Sequence, residues 1–253
     1  MRSRIVMAMA LVALAGSAHA QVAEQHIQLG DHEHTAHNLS SALQHYEAAI
    51  KAEPANYKAL IKAAHDAVDL GEFDENRKER DSLYASAVQY ARRAVAANPN
   101  DAEGHFELAR AIGRNALTMG TKDKIRYAGE VREQALDALK LSPNHAGALH
   151  VMGVWNAEVM RLNGLSRMVA KNFLGGKVFG EANWDNAQKY LEQAVSIEPE
   201  RITHHLDLGA IYKDRDEKAK AIEQYEMIGR IAPSEFNDAK YKGEAAARLK
   251  DLR

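Results

Sequence analysis

The feature that most constrains this chain is the placing of its prolines. There are five, Pro54, Pro99, Pro143, Pro199 and Pro233, and each closes an apolar-periodic segment. Counting back 12, 8 and 5 positions from Pro233 gives Ala221, Tyr225 and Ile228. The same steps give Ala187, Leu191 and Ala194 before Pro199, and Ala42, Tyr46 and Ala49 before Pro54. Pro99 gives Ala87, Ala91 and Ala94, and Pro143 gives Val131, Ala135 and Ala138. Proline lacks an N–H and disfavours α geometry in its predecessor, so it stops a helix. A small residue at a fixed offset lets a second helix come close. The chain therefore repeats a two-helix unit five times.

Small, apolar, small, then proline is the second-helix pattern of the tetratricopeptide repeat, whose period is about 34 residues. The first helices agree: Leu29-Gly30, Leu108-Ala109, Met152-Gly153 and Leu208-Gly209 take the Leu-Gly position, with Tyr212 following. The spacings between successive prolines are 45, 44, 56 and 34 residues, so only the last repeat keeps the ideal length. The expected fold is all-α: a right-handed α-solenoid of tetratricopeptide-like helix pairs over 21–253, closed by a polar capping helix over 235–252. Each pair is one-sided, so stacking builds the core. Asn100, Asn144 and Ser234 are expected to cap the helices that follow the prolines.

Residues 1–20 look like an address. Arg2 and Arg4 precede an apolar run from Ile5 to Ala15, and Ala18-His19-Ala20 has the small-x-small form of a signal-peptidase site. The run is shorter than the roughly 20 apolar residues a membrane-spanning helix needs. Cleavage after Ala20 is expected, giving a mature chain without an integral membrane span, exported to a bacterial periplasm.

The excess over the ideal period falls before the second helices of repeats two, three and four. Phe73–Asp81 is densely charged and lengthens a helix or its turn, and Thr121 opens a long helix running to Leu141. The fourth insertion is apolar, with Leu165, Phe173 and Phe179 among glycines. It forms extra core or closes an apolar pocket. The stretch Leu149-His150-x-x-Gly153-x-Trp155, the insertion through Phe179-Gly180, and Ala182-x-Trp184-x-x-Ala187 with Tyr190-Leu191 resembles the regulator of microtubule dynamics family. Lys124-Ile125 and the helix through Ala135, Leu136 and Pro143 fit the same pattern. The resemblance covers roughly residues 85–250. It implies a tetratricopeptide-like helical protein, linked in known members to microtubules and organelle contact sites, with no defining catalytic residue. An exported relative cannot meet microtubules, which leaves the partner open.

Chemistry is sparse. The chain has no cysteine, which removes disulfides, thiolate nucleophiles and Cys-ligated zinc. A net charge of −2 argues against a nucleic-acid surface. Gly175-Gly176-Lys177-Val178 lacks the spacing and hydroxyl of a phosphate loop, and Gly164-Leu165-Ser166-Arg167-Met168 fails the nucleophile-elbow pattern at its last position. No enzyme and no cofactor are expected. His32-Glu33-His34-Thr35-Ala36-His37 misses His-Glu-x-x-His by one residue. His32, His34 and His37 remain a metal-binding alternative, with His34 and His37 placed to share a helix face. Of His204 and His205, one is expected to face inside its repeat and the other not.

The default binding surface of a solenoid is its concave face. First-helix positions turned that way include Phe106, Arg110, Arg114, His150 and Val154. Arg110 and Arg114, one turn apart, can present two guanidiniums to a carboxylate or an acidic peptide. Trp155 is expected in the core. The function expected is a non-catalytic scaffold binding a protein or peptide partner. The alternative is a carrier of a lipid-like ligand in the 160–180 insertion.

Overall fold

A computed structural model describes residues 2–162 and 177–253, and the regular structure among them is α-helix. The chain divides into two compact units, Met1–Pro99 and Asn100–Arg253.

In the first unit, α1 (Arg2–Thr35) pairs with α2 (Leu39–Ala52), and α3 (Tyr57–Glu72) pairs with α4 (Arg77–Ala97), while α2 also packs on α3. In the second, α5 (Ala102–Leu117) pairs with α6 (Thr121–Leu141). There α7 (Ala146–Arg161) pairs with α9 (Trp184–Ile197), beyond the short α8 (Lys177–Gly180). The last pair is α10 (Ile202–Asp214) with α11 (Lys218–Arg230), and α12 (Asp238–Leu252) lies against both. These are the five expected pairs and the terminal helix, each built from apolar residues at helical spacing. The fold is the all-α, tetratricopeptide-like stack of helix pairs within each unit.

The prolines end their helices as the chemistry requires. Glu53, Asn98, Ser142 and Glu198, the residues before four of them, leave helical geometry at φ between −144° and −124°. The caps correct the sequence expectation by one position. Proline and its successor form a turn, closed by Asn56 N–H to Glu53 O at 3.0 Å and His145 N–H to Ser142 O at 3.1 Å. The cap therefore falls two residues after proline. Asn56, Asp101 and His145 accept from Ala59, Glu103 and Ala148 N–H, where Asn100 and Asn144 were expected to act. Ser234 is not a cap either. Its N–H and that of Glu235 donate to Asp238 Oδ2, both at 2.8 Å.

Small residues do mark the close crossings. A Cβ on Gly153 would stand 2.6 Å from Leu191 Cγ, and the ring of Tyr46 fills the space beside Gly30. Leu208, Leu108 and Met152 are buried beside their small partners, but Leu29 is 50% exposed.

The extra residues of repeats two and three are absorbed as helix. Their members run 16 and 21 residues, against 13 and 13 in the last pair. In repeat two this brings a Leu-Gly pair, Leu70-Gly71, under Tyr84, whose Cε1 would lie 2.7 Å from a Cβ on Gly71. That dipeptide was legible in the sequence and was missed because it stands away from the repeat's Leu-Gly position.

Candidate functional site

In the second unit the first helices of successive pairs, α5, α7 and α10, lie side by side, with α12 after them. Their shared face is lined by polar groups that bond from helix to helix. At its start Phe106 wedges against Gly147, where a Cβ would meet the ring at 2.6 Å, and against the His145 ring at 4.8 Å. Phe106 therefore joins α5 to α7 by packing. His145 caps α7 through Nδ1 and reaches Glu103 through Nε2 at 3.0 Å. Burial pushes this imidazole's pKa down, but the Glu103 bond and charge outweigh it and lift the pKa above its ordinary value.

Arg110 and Arg114 do not form a free guanidinium pair. Arg110 Nη1 lies 3.5 Å from Oε2 of Glu107, a carboxylate with no exposed surface. The charge of Arg114 acts on Asp207 of α10, together with that of Arg248 of α12. His150 Nε2 sits 3.2 Å from Asp207 Oδ2. Burial raises the Asp207 pKa, but the His150 bond and the charges of Arg114 and Arg248 hold it below the ordinary carboxylate value. Asp207 still keeps 37% of its side chain open. Val154 is half-buried one turn beyond His150. At the far end Arg161 bonds Asp214 Oδ2 through Nε at 2.8 Å and Nη2 at 2.6 Å, and Glu158 at 2.6 Å.

His204 and His205 are both buried, and, as expected, one faces inside its own repeat and the other does not. His205 turns to Gln224 Oε1 of α11 at 2.7 Å and Pro199 O at 2.8 Å, whereas His204 turns to α7. Two helices pack against α10 from different sides, so adjacent positions can both be covered. First-helix spacing turns both His150 and Asp207 to this face, but the sequence carried no signal for His204 and Arg248 joining them, which only stacking brings together.

Trp155 is core, as expected. Its Nε1 donates to Ala128 O at 2.7 Å and its ring stacks on Phe179 with centroids 6.0 Å apart. Phe179 is 3% exposed, and Arg132, lying over the Trp155 ring, pairs with Glu181. Leu165 and Phe173 lie outside the described residues.

His32, His34 and His37 do not converge. α1 ends at Thr35, so His37 leaves the helix at φ 61° and shares no face with His34. His32 is exposed, and His34 Nδ1 bonds Asp66 Oδ1 of α3 at 2.8 Å. Beside it His65 Nε2 lies 3.1 Å from Asp69 Oδ2. Among the described residues no three His, Cys, Asp or Glu side chains converge as a metal ion needs.

The profile of a family described as regulator of microtubule dynamics protein 1-3 matches residues 22–253. Regulator of microtubule dynamics protein 1 of Bos taurus is 28% identical over 140 residues, covering 55% of this chain and 43% of that protein. The Mus musculus protein is 27% identical over 195 residues, 76% of this chain and 62% of its own length. The match thus spans about half the length of these relatives. Among solved structures, a thermophilic tetratricopeptide-repeat protein of Thermus thermophilus superposes with a TM-score of 0.65 at 19% identity, over 89% of this chain and 99% of its own. Pseudomonas aeruginosa pilF reaches 0.51 at 14% identity, over 93% of each chain. At these identities the likeness is one of fold.

Proposed function

Because the chain belongs to the regulator of microtubule dynamics family, we propose that it is a non-catalytic interaction scaffold that takes a partner segment on the α5–α7–α10 face of its second unit. The observation that carries this is Asp207. Its carboxylate stays more than one-third open in a surround of His150, Arg114 and Arg248, drawn from three other helices. A partly open charge within an ordered polar surround offers a segment both hydrogen bonds and a fixed register. Half-buried Val154 adds apolar contact beside it. The partner class is a protein or peptide whose charges alternate, since cationic and anionic groups alternate along the face.

A photo-crosslinker at Val154 is expected to capture a discrete partner from the producing cell, and one at exposed Lys189 on α9 is not. Equal capture at both positions, or at neither, overturns the proposal. Asp207→Asn should weaken the Val154 adduct.

The same chain is proposed to be exported and processed after Ala20. Two observations support it: the family profile starts at residue 22, and Ala23 is the first buried side chain among those described. The described side chains just before it, residues 19–22, are exposed. Amino-terminal sequencing of protein from a periplasmic fraction should start at Gln21; an intact Met1 terminus sinks this. The carrier reading gains no support at Phe179, which is closed against Trp155.

A further inference from the structure

Four side chains in the second unit form one continuous hydrogen-bonded chain. Glu198 Oε2 lies 3.2 Å from His204 Nε2, and His204 Nδ1 lies 2.9 Å from His150 Nδ1. His150 Nε2 then lies 3.2 Å from Asp207 Oδ2. The proton count follows from chemistry. An ionised carboxylate only accepts, so both Nε2 atoms must carry hydrogen. A neutral imidazole has one N–H, which would leave two bare Nδ1 lone pairs facing each other at 2.9 Å. That contact is repulsive unless a third proton lies between them.

We propose that His150 and His204 share one proton between their Nδ1 atoms, and that this proton is a pH-sensitive latch joining α7 to α10. The pair then carries one positive charge, flanked by a carboxylate at each end. The ionisation states around it agree. The His204 bond lowers the pKa of Glu198, and the Asp207 pKa is also held below its ordinary value, so both stay charged. Burial drives the His204 pKa down to about 4, so a second extra proton enters the pair only in acid.

The surroundings bias the latch from several helices. Arg201 at the start of α10 and His145 at the start of α7 bear on Glu198. Arg114 of α5 and Arg248 of α12 bear on Asp207, and Tyr225 of α11 lies near it. A fourth proton in acid would set two imidazoliums face to face. Loss of the third in alkali would leave two lone pairs face to face. The latch therefore holds only between these limits. Its link to partner binding rests on the proposed interaction face; the latch itself does not.

Imidazole 1H–15N correlation spectra of the full chain test this directly. At neutral pH a strongly downfield proton coupled to Nδ1 of both rings is expected, with both Nε2 atoms protonated. It should vanish as pH falls through about 4, and both rings should change together. Bare Nδ1 atoms throughout, or two rings titrating independently, overturn the proposal. A double-mutant cycle of His150→Gln and His204→Gln gives a second readout. The coupling should be about tenfold or more in the unfolding equilibrium at neutral pH, the size of a charge-assisted hydrogen bond, and should fall in acid. A coupling that does not vary with pH also overturns it. Should the variants fail to fold, the wild-type spectra decide.

Discussion

A Cβ placed on Gly209 would stand 2.5 Å from Cε1 of Tyr225, the large residue of the facing helix. The two occupy the positions at which a tetratricopeptide pair crosses most closely, so the ring is seated against bare backbone. Gly209→Ala is expected to lower unfolding free energy by roughly 1–3 kcal/mol, as overpacking does. Gly243 of α12 has nothing within 4 Å of such a Cβ. There the same change should stabilise by about 1 kcal/mol through helix propensity. Urea unfolding of both variants checks the sign reversal.

His37 fills the left-handed position of a Schellman turn. Its N–H bonds His34 O at 2.9 Å and the next N–H, of Asn38, bonds Glu33 O at 2.8 Å. Asp216 repeats this after α10, at φ 62°. Glycine suits that position best, and Asp tolerates it better than His. His37→Gly should raise stability by about 1 kcal/mol, and Asp216→Gly by less. A urea midpoint that falls for His37→Gly would show that the ring makes a contact worth more than the strain.

Asp66 is 1% exposed, and its Oδ2 meets no donor. Burial raises the pKa of this carboxyl above its ordinary 3.8, and the His34 bond offsets that only in part. A carboxyl with a raised folded value binds protons more readily in the fold than in the unfolded chain. Its ionisation therefore removes stability as pH rises from 3.8 through the folded value. Asp66→Asn lacks this term. The stability of the variant relative to wild type should climb over that window and then level off. A difference that falls with pH would contradict the raised value.

Phe179 is expected to behave as core. Phe179→Ala should cost roughly 3–5 kcal/mol, because the stacked face of Trp155 would open onto a cavity. Intrinsic Trp155 fluorescence during unfolding measures this. A loss under about 1 kcal/mol would mean that the ring borders open space, and would return the insertion to the ligand-pocket reading.

Much of the fold was legible because it rests on local rules. Pro54 or Pro199 stops a helix whatever surrounds it, and Ala187 or Ala221 must be small wherever two helices cross. Thr121 correctly marked the start of a long helix. The caps were misplaced by one residue because the turn after proline consumes Pro99-Asn100 or Pro143-Asn144 before a helix can begin. His34 and His37 looked like partners on paper, but helical spacing applies only while the helix lasts, and it ends at Thr35.

The sequence by itself determined the repeat, its five pairs, the terminal helix and the family. These follow from spacings within about 40 residues, where each residue's neighbours are set by helical period and proline. Which charges meet across repeats was decided only by stacking. His150 and His204 stand 54 positions apart and touch because α7 and α10 lie side by side. The pairing of Arg110 with Glu107, three residues back on the same helix, is by contrast local and was open to reading from the sequence. The five prolines mark where each helix pair ends; the polar chain from Glu198 to Asp207 exists because successive pairs pack, and packing between repeats depends on surfaces that no single repeat encodes.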